Sequence, residues 1–434
     1  MRYITDFHIH SKYSRACSKY LELESIAAWA QIKGINVVSC GDFTHPRWFA
    51  DIEKKLIETT PGLFSLRPEY VREISNIQNK AGISHITSPL PLFILTTEIS
   101  CIYSKGGKVR RVHLLIFAPS LDAVRAINAK LSTLGKLASD GRPILGLDAK
   151  ELLKIITDIS PECFIVPAHI WTPWFALFGS KSGFNSIEEC FEELSPLIFA
   201  AETGLSSDPL MNWSISNLNS ITLISNSDAH SAEKLGREAN VFEGMEISYP
   251  AIREALQKGK QGTPSLRLDY TIEFFPEEGR YHFDGHRDCE ISLPPGQTKR
   301  YKGMCPKCSR PLTVGVLHRV SDLADQDAHA QREKKISYKN LIPLQEIIAQ
   351  SFGLGVNSKR VREQYIKVIN SFGSEFEILL DTPLEDFSRV ASRELTHALA
   401  TMRAGEVEII PGYDGVYGVI NAVKIKIKKQ QALL

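Results

Sequence analysis

The sequence predicts an α/β fold: a barrel of about seven β/α units, then a small zinc-binding module, then a mostly helical C-terminal region. Three observations carry this expectation. Short apolar runs alternate with amphipathic stretches up to about residue 245. One histidine and three cysteines stand as two close pairs between positions 286 and 308. Helical periodicity then returns from about Leu341 to Ala404.

The candidate strands are Tyr3–Ile9, Ile35–Cys40, Leu92–Thr97, Val112–Phe117, Cys163–Ala168, Leu197–Ala201 and Ile221–Ser225. Each is short, apolar and mostly β-branched or aromatic. Candidate helices lie between them: Leu21–Lys33, ended by Gly34, then Leu121–Leu137 and Lys150–Ile159. Another starts at Ser186, with Glu188 and Glu189 in its first turn. Strands alternating with helices predict parallel pairing, and so many units favour a barrel over a short open sheet. The expected domains are 1–250 for the barrel, 266–325 for the zinc module and 326–434 for a helical region that closes in a short β-rich segment.

The chain has 434 residues, 43% hydrophobic and 23% charged, enough for a large core without disulfides. Its net charge of +1 creates no global field for a polyanion, so any nucleic-acid surface must be local. The start, MRYITDFHIHS, lacks a signal-peptide pattern, and no apolar run approaches the roughly 20 residues of a membrane span. A soluble cytoplasmic protein with no membrane contact is expected. Cys17, Cys40, Cys101, Cys163 and Cys190 are isolated and read as small buried side chains.

Of 12 histidines, six sit at or just after the ends of candidate strands: His8, His10, His45, His113, His169 and His230. Asp42, Glu98 and Asp228 share such positions. In a parallel barrel those ends converge on one face. Alternation in Asp6-Phe7-His8-Ile9-His10 puts both imidazoles on one side, and Asp228-Ala229-His230 repeats the arrangement at the last strand. Imidazoles mixed with carboxylates suit two or three divalent ions, Zn, Mn, Mg or Fe. Metals about 3.5–4 Å apart hydrolyse phosphoesters by in-line attack, and Glu98 is a natural bridge between two of them. The nine residues together would line one pocket.

His286, Cys289, Cys305 and Cys308 have the spacing of a closed, structural zinc site, with His282 as a competitor for the His286 place. Nearby lie Arg287, Lys299, Arg300, Lys302, Lys307, Arg310 and Arg319, either a phosphate-contacting patch or scattered solvated cations.

The motifs DFHIHS, GDFTH, Glu98, Val112-His113, PAH at 167–169 and SDAH at 227–230 resemble the polymerase and histidinol phosphatase (PHP) family. The resemblance implies a distorted seven-unit β/α barrel of PHP type with a multinuclear metal site. His8, His10, Glu98 and Asp228 would hold one ion; Glu98, His113 and His169 a second; His45, His230 and Asp42 a third. Trinuclear members often add a histidine after the first motif, whereas Ser11–Tyr20 offers only Cys17. With YHFDGHRDC, CPKC, LTVGVLHRV at 312–320 and PGYDGVYG at 411–418, the whole chain resembles the endonuclease Q family. That implies a DNA-repair endonuclease acting on damaged double-stranded DNA. It would cut the phosphodiester 5′ of uracil, hypoxanthine, xanthine or an abasic site, leaving 3′-hydroxyl and 5′-phosphate ends. A replication sliding clamp is a candidate partner. The rival readings are a PHP-type small-molecule phosphatase and a non-catalytic nucleic-acid-binding protein. The long region after the barrel argues against the first, and the complete ligand set against the second.

An enzyme that reads a lesion must take the base out of the stack. Trp171, Trp174 and Phe175 directly follow His169 and are candidates for stacking on a flipped base, or ordinary loop packing. Ser14 and Arg15, after the first motif, are candidate phosphate holders. Gly412, Gly415 and Gly418, with Tyr413 and Tyr417, form a tight turn that approaches the DNA backbone or is merely a hairpin. Lys424, Lys426, Lys428 and Lys429 alternate in part, as on a protected edge strand or a phosphate-binding one.

Overall fold

The computed structural model describes residues 1–423; the lysines at 424, 426, 428 and 429 lie outside them. Strand β1 (Arg2–Asp6) pairs in parallel with β2 (Val37–Ser39), as alternating strands and helices require. A hairpin not read from the sequence follows, β3 (Leu56–Thr60) and β4 (Leu63–Leu66). β5 (Leu92–Lys105) is parallel to β2 and antiparallel to β4. It continues past Thr97 and turns at Gly106–Gly107 into β6 (Lys108–Ala118), antiparallel along its whole length. Both glycines are left-handed, φ +60° and +72°, as a two-residue hairpin turn demands. The expected all-parallel sheet is therefore corrected to a mixed one.

β7 (Ile144–Leu145) joins β5, and β8 (Phe164–Pro167) runs antiparallel to β6. β9 (Ala200–Glu202) and β10 (Thr222–Ile224) form a separate parallel pair. Sparse hydrogen bonds fit this pair into the ring. Ile170 N–H donates to Glu202 O at 3.1 Å on one side, and His10 N–H to Ala229 O at 3.1 Å on the other. The result is a distorted barrel. β11 (Ala239–Gly244) pairs antiparallel with β1, and β12 (Leu266–Glu273) with β11. The hairpin β13 (Asp284–His286) and β14 (Ile291–Leu293) stands outside this sheet. β15 (Ser337–Asn340) returns parallel to β12, so two strands from beyond residue 250 complete the barrel's sheet. β16 (Glu408–Ile410) and β17 (Val419–Asn421) form the last described hairpin.

Phe7, Val37, Ile94, Leu115, Phe117 and Val166 share one apolar cluster drawn from successive strands. Each such side chain contributes about 1.5–3 kcal/mol on burial. The helix Leu23–Lys33 ends at Gly34, φ +88°, and the helix from Leu121 stops at Ser132, short of the expected Leu137. Ser186 caps its helix by accepting from Glu189 N–H at 3.1 Å. The C-terminal helices include Leu344–Phe352, Lys359–Phe372, Glu375–Leu380 and Arg393–Arg403. They dock on the first barrel helix through a buried ion pair, Lys33 Nζ to Glu375 at 2.7 Å, with the Tyr365 hydroxyl donating to the same carboxylate. Among the described residues no helix is long and apolar enough to cross a membrane.

Candidate active site

The metal-ligand candidates come from segments after β1, β2, β8 and β10 and, contrary to the strand-end expectation, from within the β5–β6 ribbon. Glu98 faces Leu115 across that ribbon and His113 faces Ser100. Glu98 and His113 are therefore diagonal neighbours on one face of the ladder.

Glu98, 1% exposed, is the hub. Its Oε1 lies 2.7 Å from His113 Nδ1 and 3.0 Å from His169 Nε2. Its Oε2 lies 3.4 Å from His10 Nε2, 3.5 Å from His8 Nε2 and 3.0 Å from Arg142 Nη1. His8 Nδ1–H donates to Glu202, 3.0 Å from either carboxylate oxygen, and His10 Nδ1–H donates to Asp42 Oδ1 at 3.0 Å. A carboxylate behind each ring fixes its tautomer and turns Nε2 towards Glu98, as in metal-binding histidines. Asp228 Oδ1 lies 3.0 Å from His10 Nε2, and His230 Nδ1–H donates to Asp228 O at 2.9 Å.

Burial opposes ionisation of Glu98, but His113, Arg142 and His8 outweigh it and hold the carboxyl well below the usual carboxylate range. Asp228 is likewise held down, against burial, by its hydrogen bond with His10 and the charge of His8. Burial also opposes charge on His8, yet Glu202 and Glu98 keep its pKa well above the ordinary imidazole value. Burial pushes His113 down to about 4.

His8 Nε2 is buried without any hydrogen-bond partner, facing carboxylates kept ionised. An orphaned imidazole nitrogen beside anionic oxygens fits divalent cations. The ligand atoms of His8, His10 and Glu98 lie within 4.8 Å of one another; so do those of Glu98, His113 and His169, and those of His10, Asp228 and His230.

The geometry gives three of the expected site residues partners within the protein. Asp42 accepts from His10 Nδ1–H, from Ser11 N–H at 2.6 Å and from the Ser14 hydroxyl at 2.9 Å, and so orients His10. Ser14, 8% exposed, is thereby taken from phosphate. Trp171 is 1% exposed, packs on Phe178 and donates its Nε1–H to Asn212 at 2.7 Å, leaving no face for a base.

The remaining candidates are placed as follows. His45 stacks on Tyr13 with ring centres 4.2 Å apart, its Nδ1 buried and unpartnered, and it belongs to none of the three ligand groups. Arg15 lies on the rim, its Nε 3.3 Å from Asp140. Phe175 lies over His113 at 4.8 Å, and Trp174 is exposed. Two residues of the site went unread in the sequence, Glu202 and Arg142. Glu202 closes the run Leu197–Ala201 as Glu98 closes Leu92–Thr97, so its signal was present.

His286, Cys289, Cys305 and Cys308 bring their ligand atoms within 4.8 Å of one another, close enough to hold one metal ion. His282 stands apart from this group. Of the basic residues nearby, Arg319 is spent on holding the barrel, donating to Phe178 O and Phe184 O. The turn at 412–418 is docked rather than free. Gly412 O accepts from Phe283 N–H at 2.9 Å, and Asp414 accepts from Arg287 N–H at 2.7 Å. Between this turn, the 172–174 loop and the root of the zinc module lies a cavity of about 460 Å³, lined by Thr172, Trp174, Arg280, Tyr281, His282 and Tyr417 among others.

Family models described as PHP-associated and as MJ0043 C-terminal domain match residues 213–261 and 343–406. The chain is 31% identical over 265 residues to the uncharacterized protein MJ0043 of Methanocaldococcus jannaschii, covering 59% of this chain but only 32% of that longer relative. It is 31% identical over 314 residues to the uncharacterized protein YqxK of Bacillus subtilis, covering 71% of this chain and 73% of YqxK. The crystal structure of the lesion-specific endonuclease PfuEndoQ from Pyrococcus furiosus superposes with a TM-score of 0.82 at 30% identity, over 100% of both chains. An endonuclease Q complexed with a 27-mer duplex carrying an abasic lesion superposes with a TM-score of 0.80 at 31% identity, over 99% of this chain and 100% of that one.

Proposed function

Because this chain belongs to the endonuclease Q family, we propose that it nicks damaged double-stranded DNA, hydrolysing the phosphodiester 5′ of a deaminated base or an abasic site. The observation that carries this is the buried Glu98 carboxylate, shared between two groups of imidazoles. His8, His10, Glu98 and Asp228 would hold one divalent ion, and Glu98, His113 and His169 a second. Such ions, when bound, lower the pKa of water and neutralise charge on the transferring phosphoryl group. Glu202 and Asp42 hold the two leading imidazoles in the orientation this requires.

The cavity beside the site offers a base its place. The loop that begins at His169 in the ligand cluster reaches the cavity at Thr172 and Trp174. His282 is 4% exposed, burial pushes its pKa down to about 4, and its Nδ1 has no partner. It is therefore a neutral imidazole with an unused acceptor. Uracil and hypoxanthine carry a ring N–H where cytosine and adenine carry a bare nitrogen, so one acceptor can tell each deaminated base from its parent base. His282→Ala is expected to lower kcat/KM on uracil duplex about tenfold, equivalent to roughly one to two kcal/mol. Nicking at an abasic site, which has no base to read, should persist. An equal fall on both substrates would remove His282 from base recognition.

The founding test is a nicking assay on duplexes carrying uracil, hypoxanthine or an abasic site, with and without a chelator. Cleavage just 5′ of the lesion, lost with chelator and restored by divalent metal, is expected. Hydrolysis of a sugar phosphate with no nicking would favour a small-molecule phosphatase.

A further inference from the structure

Arg142 belongs to no motif, yet its Nη1 lies 3.0 Å from the Glu98 carboxylate at the centre of the ligand cluster. The segment that delivers it is tightly held. Asp140 Oδ1 accepts from the backbone N–H of Arg142 at 3.1 Å and of Arg15 at 3.4 Å. Gly141 N–H donates to Tyr13 O at 3.1 Å. A Cβ on Gly141 would stand 2.2 Å from Asp42 Oδ2 and 2.3 Å from Ser14 Oγ, so only glycine permits this approach. Pro143 O then accepts from Ser100 N–H at 3.1 Å, tying the other end to the strand that carries Glu98.

Among the described residues, Glu98 is the guanidinium's one side-chain partner, and it engages Nη1 alone. The side chain is 28% exposed, so part of it is open to solvent. A guanidinium is planar, always charged and matched to two phosphate oxygens at once.

We propose that Arg142 is a catalytic residue of the nicking reaction, donating to the non-bridging oxygens of the scissile phosphate. The proposal rests on the phosphodiesterase reading. In the reaction a water oxygen forms a bond to phosphorus and the bond from phosphorus to O3′ breaks. The electron pair of that bond leaves with O3′, which takes one of the water's protons; the other goes to the new 5′-phosphate and on to solvent. Negative charge accumulates on the non-bridging oxygens as this proceeds. A donor waiting there stabilises the transition state more than the bound substrate. Arg142 therefore acts mainly on kcat. Ser14, the sequence's candidate for this task, is spent on Asp42, and Arg15 is left for phosphates further out on the rim.

The test begins with nicking of a lesion duplex by the metal-loaded wild-type chain; absence of nicking there overturns the phosphodiesterase reading, not the role of Arg142. Given wild-type activity, Arg142→Ala should lower kcat about a hundredfold or more, with little change in KM, in bound metal or in melting temperature. Millimolar guanidinium should restore part of the rate. Arg142→Lys should recover only part, because it keeps the charge without the fork. Unchanged kcat would overturn the proposal. So would a loss of bound metal matching the loss of rate without guanidinium rescue, because Arg142 would then only position Glu98.

Discussion

Replacing Asp228 by alanine is expected to reduce lesion nicking at least about a thousandfold, since metal ions stabilise phosphoryl-transfer transition states by several kcal/mol. Asp228 reaches His10 Nε2 at 3.0 Å, and its side chain is 26% exposed, at the open side of the cluster. It is the second carboxylate after Glu98 able to offer oxygen to an ion held by His8 and His10. Its backbone is left-handed, φ +46°, so alanine adds strain of about 1–2 kcal/mol. Asp228→Asn separates that strain from chemistry, because asparagine accepts this conformation and keeps the shape while losing the charge. Both variants should lose nicking and bound metal, and only the alanine variant should melt lower. His8→Ala should be equally inactive but less stable, since it strips Glu202 of one of its buried donors at a cost of about 1–3 kcal/mol. Nicking within tenfold of wild type by a metal-loaded Asp228→Asn would remove Asp228 from the chemistry.

How legible this site was in the sequence depended on how local each signal was. His8, His10, Asp228 and His230 announce themselves because pairs two residues apart follow apolar strands. The zinc ligands announce themselves by spacing alone. Glu98 looks like a strand terminus in the sequence because it follows the apolar run Leu92–Leu95 and two β-branched threonines. In the structure β5 runs on through alternating residues to Gly106–Gly107, and that glycine pair was the overlooked hairpin signal. Arg142 had no local signal. Its place depends on Gly141 meeting Asp42 and Ser14, a contact between segments far apart in the chain. The aromatic run after His169 illustrates a different limit. Trp171 points into the core and Trp174 out of it, and irregular loops have no period from which to tell them apart. For Asp42, a carboxylate three residues before His45, only coordinates show its oxygens accepting from His10, Ser11 and Ser14.

Replacing Cys305 by serine should release one zinc per chain and unfold the module it closes, while the barrel keeps its own metals. The argument starts from how little else holds residues 284–313 together. Their apolar cluster of buried residues is Leu293, Leu312 and Cys305 itself. Two buried leucines supply about 1.5–3 kcal/mol each, a small core for a segment of this length. Structural zinc contributes about 10 kcal/mol or more in small finger peptides, more than both leucines together. Cys305 is also the most deeply buried of the four ligands, 1% exposed, so serine leaves a polar hydroxyl in its place. Amide exchange across 284–313 should rise by orders of magnitude. The loss should spread to the cavity, because Arg280, Tyr281 and His282 lie at the module's root and the 412–418 turn is pinned to Phe283, Arg287 and Thr313. DNA affinity should therefore fall along with lesion nicking, whereas the barrel's metal content should not. Unchanged zinc stoichiometry and unchanged exchange in Cys305→Ser would contradict a structural ion. Loss of zinc without any loss of lesion nicking would detach the module from recognition.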